Sequence, residues 1–282
     1  MLSPDRTTTA SFDVPWLPIG GLPIAVIDCE ESARLLVEAA LARRGSGQRP
    51  LVVTSANGQV LSMCAIDAQV RSLFLDADLI HADGMPLVVA SRLRSRTPLP
   101  ERVATTDLFH DVARVAQTCG STFYFLGGTP PVIDKAVRNV RSRYPNLEIA
   151  GYQNGYFRPE EIENVLAQIN AARPDILWVG MGVPQEQEFS LRYRSRLTNV
   201  GLIKTSGGLF DFLSGNNGRA PGWMQSAGLE WLYRLWLEPR RLFVRYLTTN
   251  PHALVLLLTQ PDLPANAPVR WQRDHKSGPS RP

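Results

Sequence analysis

The feature that most constrains this chain is an alternation of two periods. Short apolar runs at 24–28, 51–55, 79–82, 122–126, 147–151, 176–181 and 200–205 read as strands. Between them, segments 30–44, 59–76, 84–95, 106–119, 131–143, 159–172 and 185–197 repeat their apolar residues at helical spacing. A helix between successive strands demands crossover connections, and crossovers join parallel strands. The pattern therefore predicts an α/β, Rossmann-like fold, a mostly parallel sheet with helices on both faces. No internal repeat is visible. With 282 residues, 44% of them hydrophobic, the chain can bury one large core and carry an appendage. The expected organisation is a disordered segment at 1–20, an α/β core at 21–217, a helical appendage at 218–259 and a disordered tail at 260–282.

Charge narrows the partners. The formal net charge is +4, and lysine occurs only at Lys135, Lys204 and Lys276, so the positive charge is almost all arginine. The planar guanidinium pairs with carboxylates and phosphates in a fork, which points to phosphorylated ligands or anionic lipid. The basic residues form no lysine-rich tract and no nucleic-acid motif appears, so nucleic acid is not an expected partner. Cys29, Cys64 and Cys119 stand singly without CxxC spacing, which argues against a disulfide framework or a zinc site and for a reducing cytoplasm. The first twenty residues show no secretory signal, since Asp5, Arg6, Asp13 and several prolines interrupt them. The apolar run at 253–258 is far shorter than the ~20 residues that span a bilayer. Any membrane contact is expected to be peripheral.

In an open parallel sheet, ligands bind outside the carboxyl ends of the strands, so the loops there carry the chemical search. Thr54-Ser55-Ala56-Asn57 follows the second strand, and Ser55 or Asn57 would serve equally as a helix cap or as a ligand contact. His81-Ala82-Asp83-Gly84-Met85-Pro86 puts a carboxylate at the mouth of the third strand, where Asp83 reads either as a cap or as a general base for an attacking hydroxyl. Gly127-Gly128-Thr129 is a strand-to-helix turn where backbone can approach an anion, although it is not GxGxxG. Gly180-Met181-Gly182-Val183-Pro184-Gln185-Glu186-Gln187 enters a helix sharply, with Gln and Glu in its first turn. A capping box would explain Glu186 and leave the glutamines unassigned. Asp76-Ala77-Asp78 has the form of a DxD metal motif but falls at the wrong end of a strand and reads as a solvated turn. The histidines are scattered and suggest no metal site.

From Arg219 to Leu258, arginines alternate with tryptophans and leucines. Trp223, Ala227, Trp231 and Leu235 recur every four residues, flanked by Met224, Leu232 and Trp236. Such a stripe is commonly a helix docked on its own core, but the density of Arg with Trp suits a surface that meets both an apolar phase and phosphates.

The blocks TSAN at 54–57, ADG at 82–84, PERVATTD at 100–107, FLGG at 125–128, GYF at 155–157, VGMGVP at 179–184, GGLFDFLSG at 207–215 and the run at 219–247 together resemble the WecG/TagA/CpsF family of bacterial glycosyltransferases. The resemblance covers roughly residues 24 to 258. It implies an inverting, metal-independent, cofactor-free transfer from a UDP-sugar to a polyprenyl-diphosphate-linked saccharide at the cytoplasmic face of the membrane, in surface or exopolysaccharide synthesis. N-acetylmannosamine, its uronic acid, glucuronic acid and glucose are all open as the sugar, and self-association is left open. The resemblance makes Asp83 the catalytic base and places Asn57 in the sugar pocket. Ser55, Arg102, Gly127, Gly128, Tyr156 and Asp211 fall in its blocks as further substrate-binding candidates. Arg219, Arg234, Arg240, Arg241 and Arg245 match its appendage arginines, thought to reach over the active site. One block departs from the common PKQE, reading Pro184-Gln185-Glu186-Gln187, and Gln187 rather than Gln185 is assigned to the donor. Two other classes compete: a nucleotide-dependent oxidoreductase, weakened by the missing glycine-rich turn after the first strand, and a catalytically silent membrane-surface adaptor.

Overall fold

The structure, a computed structural model, describes residues 12–226, 230–237, 239–259 and 263. Its centre is a six-stranded, all-parallel sheet of β3 (Leu51–Ala56), β4 (Leu79–Ala82), β5 (Thr122–Gly127), β6 (Glu148–Gln153), β7 (Ile176–Gly180) and β8 (Leu202–Thr205), in the order β4-β3-β8-β7-β5-β6. The expected parallel α/β architecture is what forms. Alternate side chains of one strand feed opposite layers: Tyr124 and Leu126, with Leu177 and Val179, join one buried cluster, while Phe123 and Phe125, with Ile176 and Trp178, join the other. Phe109 packs edge-on to Trp178 at 5.0 Å between ring centroids, tying α5 (Thr105–Cys119) to the second layer.

The run at 24–28 does not enter this sheet. Leu22–Ala25 is β2, paired antiparallel with β1 (Trp16–Ile19) in a separate hairpin. Gly20 and Gly21 turn it with φ of 59° and 81°, the positive values that a two-residue primed turn needs at both positions. The boundary expected at residue 20 thus falls inside a hairpin, and Ile19, Leu22 and Ile24 belong to the core.

The expected helix at 59–76 is two helices, α2 (Gly58–Ile66) and α3 (Ala68–Leu75). Asp67 separates them because its Oδ1 accepts the backbone N–H groups of Gln69 and Val70, at 2.8 and 3.2 Å, and starts a new helix. Asp78 is not solvated. It is buried, accepts the Val52 N–H at 2.8 Å and pairs with the buried Arg194 guanidinium, which fixes the entry into β4. At the other end of the chain, α10 (Gly222–Ser226) and α11 (Glu230–Leu237) precede α12 (Pro239–Thr259). The far end of α12 lies on α2. Ala253, Leu256 and Leu257 are buried, and the Ser62 hydroxyl meets His252 Nδ1 at 2.8 Å.

Candidate active site

Loops following all six strands of the parallel sheet open into one cleft of about 740 Å³, within the usual size of a small-molecule site. Ser55, Asn57, Asp83, Gly128, Tyr156 and Asp211 line it, so six of the residues singled out between positions 55 and 211 converge on one space. Helix starts border it as well: Gln59 of α2, Thr105 and Thr106 of α5, and Gln185 of α8 (Gln185–Tyr193) all line the wall. Helix N-termini present unpaired N–H groups and positive dipole ends, so this arrangement favours an anion.

The capping reading of Asn57 is seen directly. Its Oδ1 accepts the Val60 N–H at 3.1 Å, capping α2, and the residue still faces the cleft. For Asp83 the same reading fails. The residue capping α4 (Met85–Arg94) is Gly84, and no side chain caps that helix. The Asp83 backbone N–H instead donates to Ala56 at 2.8 Å, holding the β4 loop against β3, and its Oδ2 accepts from the Thr105 hydroxyl at 3.3 Å. A carboxylate held by the loop and aligned by a hydroxyl is suited to taking a proton from an incoming group.

Gly127 lies beneath the cleft rather than in its wall. Its φ is +152°, and a Cβ there would fall 2.2 Å from the Gly180 carbonyl oxygen, so only glycine lets the ends of β5 and β7 approach this closely.

Gln187, the expected donor contact, is absent from the cleft wall. It is 1% exposed, and its Nε2 donates to the hydroxyls of Thr54 at 3.0 Å and Thr205 at 3.4 Å. The helix turns Gln185 to the cleft in its place, because side chains two helical positions apart point about 200° apart. Glu186, fully buried, clamps two loops: its Oε2 accepts N–H groups of Met181 at 3.3 Å, Gly182 at 3.1 Å and Gly207 at 2.8 Å. Burial pushes its carboxyl above the usual range, while these N–H groups and the nearby Lys204 pull it back. The capping-box reading had the right residue, but the bonds reach across to the loop after β8.

Lys204, which the strand pattern hid, is completely buried at the end of β8. Its Nζ donates to Ser55 Oγ at 2.9 Å and to the Thr205 carbonyl at 2.8 Å. Burial lowers its value to about 8, against the opposing pull of Asp83 and Glu186.

Arg219 stands one residue past Gly218, which lines the cleft. It forms a two-pronged ion pair with Asp107, the Nη2 to Oδ2 arm measuring 2.9 Å, and Arg102 approaches the same carboxylate at 3.7 Å. The side chains of Arg234, Arg240, Arg241 and Arg245 lie outside the described residues, as does Ala227. Along α10 to α12, Trp223, Trp231, Trp236, Phe243 and Leu247 are exposed. Pro221, Met224, Leu232, Tyr233, Leu235 and Trp236 line an apolar hollow. No helix among the described residues is long and apolar enough to cross a membrane.

Comparison with known proteins agrees with this geometry. A family model described as Glycosyl transferase WecG/TagA/CpsF family matches residues 17–266. A protein of Bacillus subtilis (strain 168) named N-acetylglucosaminyldiphosphoundecaprenol N-acetyl-beta-D-mannosaminyltransferase is 34% identical over 209 residues, 73% of this chain and 78% of the relative. The family match begins in the hairpin and runs past the end of α12, taking in the sheet, the cleft and the C-terminal helices, and the chain belongs to the WecG/TagA/CpsF family of glycosyl transferases.

Proposed function

We propose that this glycosyltransferase moves a sugar from a UDP-sugar to a saccharide carried on polyprenyl diphosphate, with inversion and without a metal, in the synthesis of a bacterial surface polysaccharide or exopolysaccharide. The observation that carries the reading is the cleft itself, where the Asp83 carboxylate shares one space with the N-terminal ends of three helices. In a single displacement the acceptor hydroxyl gives its proton to Asp83 while its oxygen attacks the anomeric carbon. The bond from that carbon to the diphosphate oxygen breaks, and UDP leaves with the electron pair. The departing charge needs a counter-charge, which helix N–H groups and arginine can supply. Arg219 and Arg102 stand beside the cleft for that role, with Asp107 holding them.

Ser55, Asn57, Tyr156, Asp211 and Gln185 are the proposed contacts to sugar and nucleotide, all of them in the cleft wall. N-acetylmannosamine is the first donor sugar to try, because the Bacillus relative's name specifies it. The exposed tryptophans and the apolar hollow support peripheral binding at the cytoplasmic membrane surface, where a polyprenyl acceptor is embedded.

The test is UDP release from a panel of UDP-sugars with a polyprenyl-diphosphate-linked acceptor in liposomes. Acceptor-dependent turnover is expected, and Asp83→Asn should lower it by roughly 10²- to 10⁴-fold, the usual contribution of a general base, with UDP binding retained. Absence of turnover with every donor, together with absence of UDP binding, would favour the adaptor instead; binding of NAD would favour the oxidoreductase.

A further inference from the structure

A fully buried lysine is costly to keep charged, and the apolar alternative is available at any strand position. Lys204 sits in the central strand β8, paired in register with Val53 on β3 and Trp178 on β7, yet its ammonium is threaded toward the cleft. Both of its hydrogen bonds go to neutral oxygens, Ser55 Oγ and the Thr205 carbonyl. From Ser55 the chain of contacts continues. Ser55 Oγ lies 3.3 Å from Thr105 Oγ1, and Thr105 Oγ1 lies 3.3 Å from Asp83 Oδ2. The groups of β3, β8, α5 and the β4 loop are thereby connected in one line, from a buried cation to the carboxylate in the cleft.

We propose that Lys204 is a positioning residue for Asp83: its buried ammonium, acting through Ser55 and Thr105, fixes the carboxylate in place and serves as its countercharge. The inference rests on the reading of Asp83 as the base. Lys204 itself touches no substrate, being closed off from the cleft. The titratable groups that face it are Asp83 beyond β4, His81 within β4 and Glu186 of α8. His81 is buried against Ser32 Oγ at 3.0 Å and is kept neutral by burial and by Lys204, so it brings no competing charge. Glu186 is already engaged by three backbone N–H groups. Asp83, at the end of the line through Ser55 and Thr105, is the carboxylate in the cleft that should respond when the cation is removed. A cation nearby favours the charged form of a carboxylate, so its loss makes Asp83 bind protons more tightly.

The deciding measurement is the pH titration of Asp83 by ¹³C NMR in protein labelled at the aspartate carboxylates, the signal being assigned by its disappearance in Asp83→Asn. This readout needs no turnover. In Lys204→Met the Asp83 midpoint should rise by about one pH unit or more, a tenfold gain in proton affinity, and the acidic limb of the kcat/KM profile should move with it. Thr105→Val, which cuts the line next to Asp83 and leaves the buried cation in place, should move the midpoint in the same direction by less, and it supplies the answer if Lys204→Met does not fold. An unmoved midpoint in the folded variants would overturn the proposal even where Asp83→Asn abolishes turnover. A moved midpoint in a protein with no transferase activity would support the linkage and refute the reading of function instead.

Discussion

Lys204 makes the stability of this protein depend on pH in an unusual direction. Its ordinary value is 10.5 and its folded value is about 8, chiefly because burial disfavours the charge. Between these two values the unfolded chain binds more protons than the folded one, so stability must rise with pH across that window. The full gap corresponds to about 3 kcal/mol, since each pH unit between the two values is worth a little over 1 kcal/mol. Only the first part is gained by pH 9, somewhat more than about 1 kcal/mol between pH 7 and pH 9. For a chain of this size that is worth roughly 3 °C in Tm, at about 2 °C per kcal/mol. Two buried thiols act the other way. Burial pushes Cys29 and Cys64 from 9.0 to about 12, so the folded state holds protons that the unfolded state releases, and stability falls above pH 9. The comparison that isolates Lys204 is therefore the difference in Tm between wild type and Lys204→Met, recorded at intervals from pH 7 to pH 9. The cysteines are common to both proteins and cancel. The wild type should gain on the variant by about 3 °C over this range. At pH 7 the variant should be the more stable of the two, while being the poorer enzyme. Parallel curves would refute the reasoning, since they would mean that Lys204 is not held at a depressed value in the fold.

Three further outcomes are expected. Glu186→Ala leaves the Met181, Gly182 and Gly207 N–H groups without their acceptor; at about 1–3 kcal/mol for each buried donor that stays unsatisfied, it should lower Tm by several degrees in calorimetry and weaken UDP binding by titration. Arg219→Ala should change stability by less than about 1 kcal/mol, because the pair with Asp107 is partly exposed, yet reduce kcat/KM for UDP release at least tenfold if Arg219 faces the diphosphate. Removing everything from Arg219 onward should lower Tm as well as abolish transfer, since Leu256 and Leu257 are buried against the core and each contributes about 1.5–3 kcal/mol; a truncated protein that melts with the full-length one would contradict the packing of α12 on α2.

The parallel sheet was legible because period and composition are local properties: a run such as 176–181 declares its burial through its own residues. The hairpin was not, because one apolar run looks the same whether it pairs with its neighbour or crosses over, and only Gly20-Gly21 at the turn distinguishes them. The cleft residues after β3, β4 and β8 were found through the rule that strand carboxyl ends carry ligands, together with the family blocks. Gln187 went astray for a geometric reason. Two helical positions separate a side chain that faces the cleft from one in the core, and the phase of α8 follows from how Glu186 is clamped by Gly207, about twenty residues away. Lys204 was invisible for a deeper reason. In a strand pattern a lone lysine reads as an interruption, and its meaning lies in Ser55, Thr105 and Asp83, which reach it only through the topology.

One end of the C-terminal segment takes the first role its sequence suggested, a helix docked on the core, while the other end leaves its tryptophans exposed. At one end of α12, Ala253, Leu256 and Leu257 are core residues; on α10 and α11, Trp223 and Trp236 are exposed, 66% and 77% respectively. Tryptophans this exposed contribute little to the stability of the fold, whereas in a lipid interface their large apolar faces are buried and their N–H groups remain hydrated. The docked end also fixes where the exposed end begins. Gly58 lets α2 approach α12 so closely that an added Cβ would come within 3.1 Å of the Ala253 Cβ, and α2 itself starts at Asn57 in the cleft wall. Contact between the tryptophan surface and a bilayer would therefore have one route, the α2–α12 pair, that leads to the cleft wall. Gly58→Val tests that coupling: it should loosen the α2–α12 packing and reduce the gain in turnover that liposomes give over detergent, while UDP binding in solution changes little. Equal loss of activity in liposomes and detergent would show that the helix pair supports the fold alone.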